Sequence, residues 1–198
     1  MTNKLKTLIR SGWKQWKVSA PRVESVAEHV YSTCMLAIAV QSEFDYDIDI
    51  KKVIYMLAVH ELEETIIGDI TPFDDNNKDK KQLGRDAVVQ ILKPLAMGDE
   101  ILAIITEYEE NKTLEARFAK WVDKLDSGLQ CKIYDMAGHV DVSDDNIDIQ
   151  RRVNLEKRNY GKLSDSWLEF CIENYNFDEN FIKLAREARK DENWNKIN

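Results

Sequence analysis

Glycine and proline are scarce in this chain of 198 residues, with seven and three respectively. Turn-rich β architectures draw on both, whereas helix interiors tolerate neither, so the shortage points to helices. Cysteine is nearly absent as well. Cys34, Cys131 and Cys171 are odd in number, far apart and without a CxxC pair, which excludes a closed disulfide framework and leaves three reduced thiols. No apolar run approaches the roughly 20 residues that a bilayer demands, and the opening MTNKLKTLIR lacks an uninterrupted apolar stretch. A cytoplasmic protein without a membrane partner is therefore expected. A Gly-rich phosphate loop and internal repeats are missing too, so P-loop and dinucleotide-binding folds have no support.

Positive charge is in deficit. Lys and Arg number 28 against 36 Asp and Glu, a formal charge of −8, which argues against a broad nucleic-acid-binding face because such faces need clustered cations. A small anionic substrate remains compatible, since one metal centre and one or two Arg can hold it. The 43% hydrophobic and 32% charged residues that are present suit a globular helical protein rather than a disordered one. The expectation is an all-α, single-domain helical bundle over 1–198, with a motif-bearing core at about 10–138 and C-terminal helices within 145–191. A homodimer is the default for a small soluble protein of this kind.

Hydrophobic periodicity places the elements. From Glu24 to about Phe44, Val26, Val30, Ala37 and Val40 recur at helical spacing, CMLAIAV reads as apolar all round, and Ser25 with Glu28 has capping-box spacing. Residues 50–67 repeat the helical pattern through Val53, Ile54, Leu57 and Ile66, and Gly68 supplies a stop. Thr71-Pro72 and the following DDNNKDKK read as a loop. Further helices are expected at about 82–95, 99–110 and 113–138, the last capped by Thr113, and two or three more in the tail, starting near Asp145 and after Phe177.

Only three histidines occur, and two of them fall inside the first two strongly apolar helical segments. At about 100° per residue, His29 shares a face with Val26, Thr33, Leu36 and Val40, and His60 with Val53, Met56, Leu57 and Ile67, so both imidazoles point inward. Glu61 lies on the same apolar side, where an isolated carboxylate is costly to desolvate and a shared divalent cation removes that cost. Glu64 follows one turn after His60, where a general base or water-orienting carboxylate is useful. A lone buried histidine usually completes a core hydrogen bond; two with adjacent acids point to a ligand set.

The segments ESVAEHV, AVHELEETIIGDITP and KWVDKLD resemble the HD-domain metal-dependent phosphohydrolases, in particular the bacterial 5'-deoxynucleotidases and HD domain-containing protein 2. The resemblance runs from about residue 10 to residue 138. It implies a metal held by His29, His60, Glu61 and Asp123, with Asp126 in reserve because periodicity sets both away from the Phe118, Val122, Leu125 and Leu129 stripe, as on a solvated acidic face. It implies Glu64 and Asp69 as catalytic residues, Arg22 as a phosphate contact, and a substrate-facing Trp. Trp13 and Trp16 compete for that place, and the R-S-G-W sequence favours Trp13. Where the family has Asp directly after the second histidine, this chain has Glu61, longer by one methylene. His139 matches nothing in the pattern.

The implied activity is release of phosphate from (deoxy)nucleoside 5'-monophosphates, aided by one divalent ion that activates water. The mixed N and O donor set favours Mn, Co, Fe or Zn over Mg alone. Alternatives are hydrolysis of a nucleoside triphosphate, a non-catalytic nucleotide sensor if Glu61 weakens the metal site, and a helical protein whose histidines only complete buried hydrogen bonds.

Overall fold

Ser25 starts the long N-terminal helix by a reciprocal exchange. Its hydroxyl accepts from the Glu28 backbone N–H, and the Glu28 carboxylate accepts from the Ser25 N–H at 2.9 Å, so two donors at the helix start are satisfied together. The structure, a computed structural model, describes residues 2–71, 80–143, 160–175 and 177–190. A 3-10 turn at Thr2–Lys6 precedes α1 (Ser11–Gln15), α2 (Val26–Phe44), α3 (Ile50–Val59), α4 (Glu64–Ile67), α5 (Lys80–Leu92), α6 (Gly98–Glu110), α7 (Leu114–Met136), α8 (Leu163–Asn174) and α9 (Glu179–Lys190). Among the described residues there is no β-strand, only an isolated bridge between Ile9 and Ser25, so the fold is all-α.

By residue contacts the chain forms two compact units, Met1–Ser11 with Glu24–Lys120 and Gly12–Val23 with Trp121–Asn198. In the first, α3 packs on α2 and α6, and α5 packs on α4 and α6. Val26, Ala37, Val53, Met56 and Leu57 are fully or almost fully enclosed, each large side chain stabilising by roughly 1.5–3 kcal/mol. Asp49 caps α3 by accepting from the Lys51 and Lys52 N–H groups at 3.0 and 3.2 Å, and Thr113 caps α7 by accepting from the Ala116 N–H at 3.2 Å. Gly98 opens α6 against the chain just before it: a Cβ there would run into the Leu92 carbonyl oxygen.

In the second unit α8 and α9 pair, and a cluster of Trp13, Cys131, Tyr134 and Leu163 forms an aromatic-rich core. Gly138, at φ 72°, turns the chain out of α7 in the left-handed region.

Two helical expectations are corrected. The α2 segment is not buried all round: Tyr31, Met35 and Ile38 are exposed, and only the Val26, His29, Thr33, Ala37 and Val40 face is enclosed. Helix 50–67 is also not continuous. It ends at Val59, residues 60–63 form turns, and α4 follows, with i→i+3 bonds from Leu62 to Val59, Glu64 to Glu61 and Thr65 to Leu62. The cause is local: His60 Nδ1 reaches the Leu57 carbonyl at 2.7 Å, the acceptor that an unbroken helix would give to the Glu61 N–H. The remaining spans differ by a few residues from expectation. Of the loop expected from Thr71 through DDNNKDKK, residues 72–79 lie outside the described residues, while Lys80 and Lys81 already belong to α5; the helix start near Asp145 also lies outside the described residues. No described helix is long and apolar enough to cross a membrane.

Candidate metal centre

Helix α2 and the turn that ends the facing α3 bring His29 and His60 together in the interior. His29 and His60 are 0% and 5% exposed, and their ring centroids are 5.6 Å apart. Glu61 Oε1 lies 3.5 Å from His60 Nε2, and His29, His60 and Glu61 each offer a donor atom within 4.8 Å of the others. The Leu57 carbonyl can only accept, so Nδ1 of His60 carries the hydrogen, and the other ring nitrogen, Nε2, faces Glu61. That is the orientation in which a backbone carbonyl steers a metal-binding imidazole. Tyr108 closes another side of the ring edge-on, with centroids 5.4 Å apart.

An extended N-terminal segment supplies a cation. The Leu8 carbonyl accepts from Val26 N–H at 2.8 Å and the Glu24 carbonyl from Arg10 N–H at 3.1 Å, which lays residues 8–10 beside the start of α2. Arg10 Nη1 then reaches Glu61 Oε1 at 3.1 Å. The next residue is tied to Asp69: the Ser11 N–H donates to Asp69 Oδ2 at 2.6 Å, and the Ser11 hydroxyl to the Asp69 carbonyl at 2.7 Å. Arg10 was not among the residues singled out in the sequence, although it opens the R-S-G-W segment.

Carboxylates crowd this region. Burial pushes Glu64 far above the ordinary carboxylate range, and the nearby charges of Glu61 and Asp69 push it further, against a smaller opposing effect of Arg10. Burial and then Glu61 likewise raise Glu63 to about 7. Glu64 is 1% exposed, and its Oε2 has no hydrogen-bond partner among the described residues. Two imidazoles, a carboxylate and an orphaned buried carboxylate oxygen fit a divalent cation, which would relieve the clustered negative charge.

The other sequence candidates are distributed as follows. Asp69 uses one carboxylate oxygen on the Ser11 backbone and so positions the segment that carries Arg10. Arg22 is exposed ahead of α2. Asp123 and Asp126, on α7 in the second unit, are 1% and 4% exposed, which corrects the solvated acidic face: α7 is enclosed on almost every side from Ala116 to Lys132. Lys124 Nζ pairs with Asp123 Oδ2 at 2.8 Å. Trp13, expected as a substrate-facing residue, lies in the interior of the second unit. It is 1% exposed, stacked on Trp167 at 4.8 Å and met edge-on by Tyr134 at 5.2 Å, so its ring faces serve the core. Trp16 is half-buried at the edge of the same cluster.

Known proteins resemble this chain in sequence and fold. The chain is 38% identical over 144 residues to 5'-deoxynucleotidase HDDC2 of Dictyostelium discoideum, covering 69% of this chain and 75% of that protein. It is 30% identical over 142 residues to 5'-deoxynucleotidase HDDC2 of Homo sapiens, covering 70% and 67%. Among solved structures, a conserved hypothetical protein from Pyrococcus furiosus superposes with a TM-score of 0.62 at 27% identity, over 79% of this chain and 93% of that one. Residues 2–165 match the family described as HD domain. The chain therefore belongs to the HD domain family of metal-dependent phosphohydrolases.

Proposed function

We propose that this protein is a 5'-nucleotidase that releases phosphate from (deoxy)nucleoside 5'-monophosphates at a metal centre formed by His29, His60, Glu61 and Asp123. The observation that carries the reading is the pair of buried imidazoles with a carboxylate donor within 4.8 Å of both. Its relatives named 5'-deoxynucleotidase support the substrate class. Asp123 is the fourth ligand in this reading. The resemblance of KWVDKLD to the family pattern supports it, and Asp123 is a buried carboxylate on α7, 1% exposed.

His29, His60, Glu61 and Asp123 would hold a divalent ion, which when bound would supply Lewis acidity for activating water and polarising a phosphoryl oxygen. The chain's own groups do the rest. Glu64, enclosed beside Glu61, holds or moves a proton at its unpartnered oxygen Oε2. Arg10 sets the position of Glu61 and offsets negative charge, and Arg22 is a second cation for the phosphate. Asp69 is a positioning residue, acting through Ser11. Glu61 keeps a carboxylate oxygen 3.5 Å from His60 Nε2 despite its additional methylene, which supports its place among the ligands. The donor set favours Mn, Co, Fe or Zn over Mg alone.

The partner is then a small nucleotide rather than a nucleic acid, in keeping with the formal charge of −8. The exposed Tyr31, Met35 and Ile38 along α2 support a homodimer, and the free thiols support a cytoplasmic location. The test is product analysis with metal-reconstituted protein. Nucleoside and inorganic phosphate from deoxynucleoside 5'-monophosphates, lost with chelator and restored by transition ions, are expected. Nucleoside and triphosphate from a nucleoside triphosphate, with monophosphates untouched, overturns the reading.

A further inference from the structure

The second unit contains a cavity of about 810 Å³ between the C-terminal part of α7 and helices α8 and α9. Five cationic side chains line it against two carboxylates, a local excess of positive charge on a chain whose formal charge is −8. The carboxylates are engaged. Asp165 and Glu169 both grip Arg189, at 3.3 Å to Nε and 2.8 Å to Nη1. That leaves Lys132, Lys162, Arg186 and Lys190 facing the space without a carboxylate partner among the described residues.

Lys132 is the unusual member. It is 1% exposed, and a buried ammonium is costly unless its donors are satisfied. Its Nζ donates to the Arg189 backbone carbonyl at 2.9 Å, a bond that also closes the C-terminal end of α9. An ammonium has three donors, and this is its one acceptor among the described residues, so two remain on a group that lines a cavity. Lys162, Arg186 and Lys190 are exposed at the rim. A buried cation at the floor with exposed cations around the mouth suits an anion carrying several charges spread over a few ångströms. The volume falls within the range of small-molecule sites.

We propose that this cavity binds a polyphosphate-class anion, either free or as the phosphate tail of a nucleotide, through Lys132, Lys162, Arg186 and Lys190. Lys132 supplies charge-assisted hydrogen bonds from the interior, and the rim residues set the number of charges recognised. This site shares no residue with the metal centre, and it does not depend on the activity proposed above.

Calorimetric titration of the full chain in the presence of chelator tests it, with sodium tripolyphosphate in one arm and a non-hydrolysable nucleoside triphosphate in the other. Saturable one-site binding is expected, weakening as salt is added, because the contacts at the rim are screened. Equal affinity in the two arms identifies the free anion's chemistry as sufficient, and a tighter nucleotide identifies a nucleotide tail. The exposed double substitution Arg186→Glu with Lys190→Glu should weaken binding by roughly tenfold or more without disturbing the fold. Lys132→Met should weaken it at least as much, and the rim variant keeps the test decisive if that buried substitution fails to fold. His60→Ala should bind tripolyphosphate like the parent. Absent or non-saturating binding, binding unaffected by the rim substitutions, or binding lost in His60→Ala each overturns the proposal.

Discussion

His60 Nδ1 donates to the Leu57 carbonyl at 2.7 Å, and that single bond both ends α3 and aims the other ring nitrogen at Glu61. Local structure and site chemistry are therefore coupled at one residue. The turns at 60–63 let two consecutive residues, His60 and Glu61, direct donors to a common place, which a regular helix, with successive side chains about 100° apart, does poorly.

Arg10 braces Glu61 from outside at 3.1 Å, so its removal should loosen the ligand without removing it. Arg10→Met is expected to weaken metal retention by roughly 10–100-fold, as for other outer partners of metal ligands. Chelator competition on the metal-loaded protein reads this directly; retention equal to the parent's would show that Glu61 holds its position unaided.

Gly98 opens α6 where a Cβ would meet the Leu92 carbonyl oxygen, which is backbone and cannot swing aside. Gly98→Ala should therefore destabilise by roughly 1–3 kcal/mol despite the better helix propensity of alanine. Denaturant unfolding checks it, and an unchanged midpoint would mean that the preceding turn yields freely.

The three thiols should be slow to react. Burial raises Cys171 to about 12 and Cys131 well above the free-thiol value, and it raises the half-buried Cys34 as well. With a thiol reagent at neutral pH, Cys34 should be labelled first and the other two only on unfolding. Rapid labelling of Cys171 in the native protein would contradict its placement.

Lys52 and Glu107 form a surface pair at 2.7 Å, and Thr113 donates to Glu107 at 2.6 Å. Although partial burial opposes it, bonding to Lys52 and then Thr113 holds Glu107 below the ordinary carboxylate range, while bonding to Glu107 raises Lys52. The carboxylate's contribution to stability is thus present above its unfolded pKa and lost as pH falls through the lower folded one; that of Lys52 is lost as pH rises through its raised value. Glu107→Gln should flatten the acid limb of the stability profile slightly, and a parallel profile would show that the pair contributes nothing.

Much of this was legible from residue order because the signals were local. Ser25 and Glu28 sit at the spacing a capping box needs, Thr113 precedes α7, and the apolar stripes put His29 and His60 on buried faces. What escaped depends on partners distant in sequence or on one hydrogen bond. Arg10 reaches a residue 51 positions away. The break after Val59 comes from an imidazole competing for a carbonyl, to which hydrophobic periodicity is blind. Asp123 and Asp126 look like a solvated face only if α7 has a free side, and its enclosure is a property of the packed unit. R-S-G-W likewise carries no information on whether Trp13 turns outwards or, as here, between Trp167 and Tyr134.

If the buried His29 and His60 and the half-buried Glu61 hold a catalytic metal, losing one imidazole must cost both the ion and the turnover. Metal content measured by mass spectrometry beside phosphate release from a deoxynucleoside 5'-monophosphate, for the parent and for folded His60→Ala, tests it most directly. About one transition ion per chain and turnover are expected in the parent, with both lost together in the variant. Equal metal content in the two proteins, or undiminished phosphate release from His60→Ala, would contradict it.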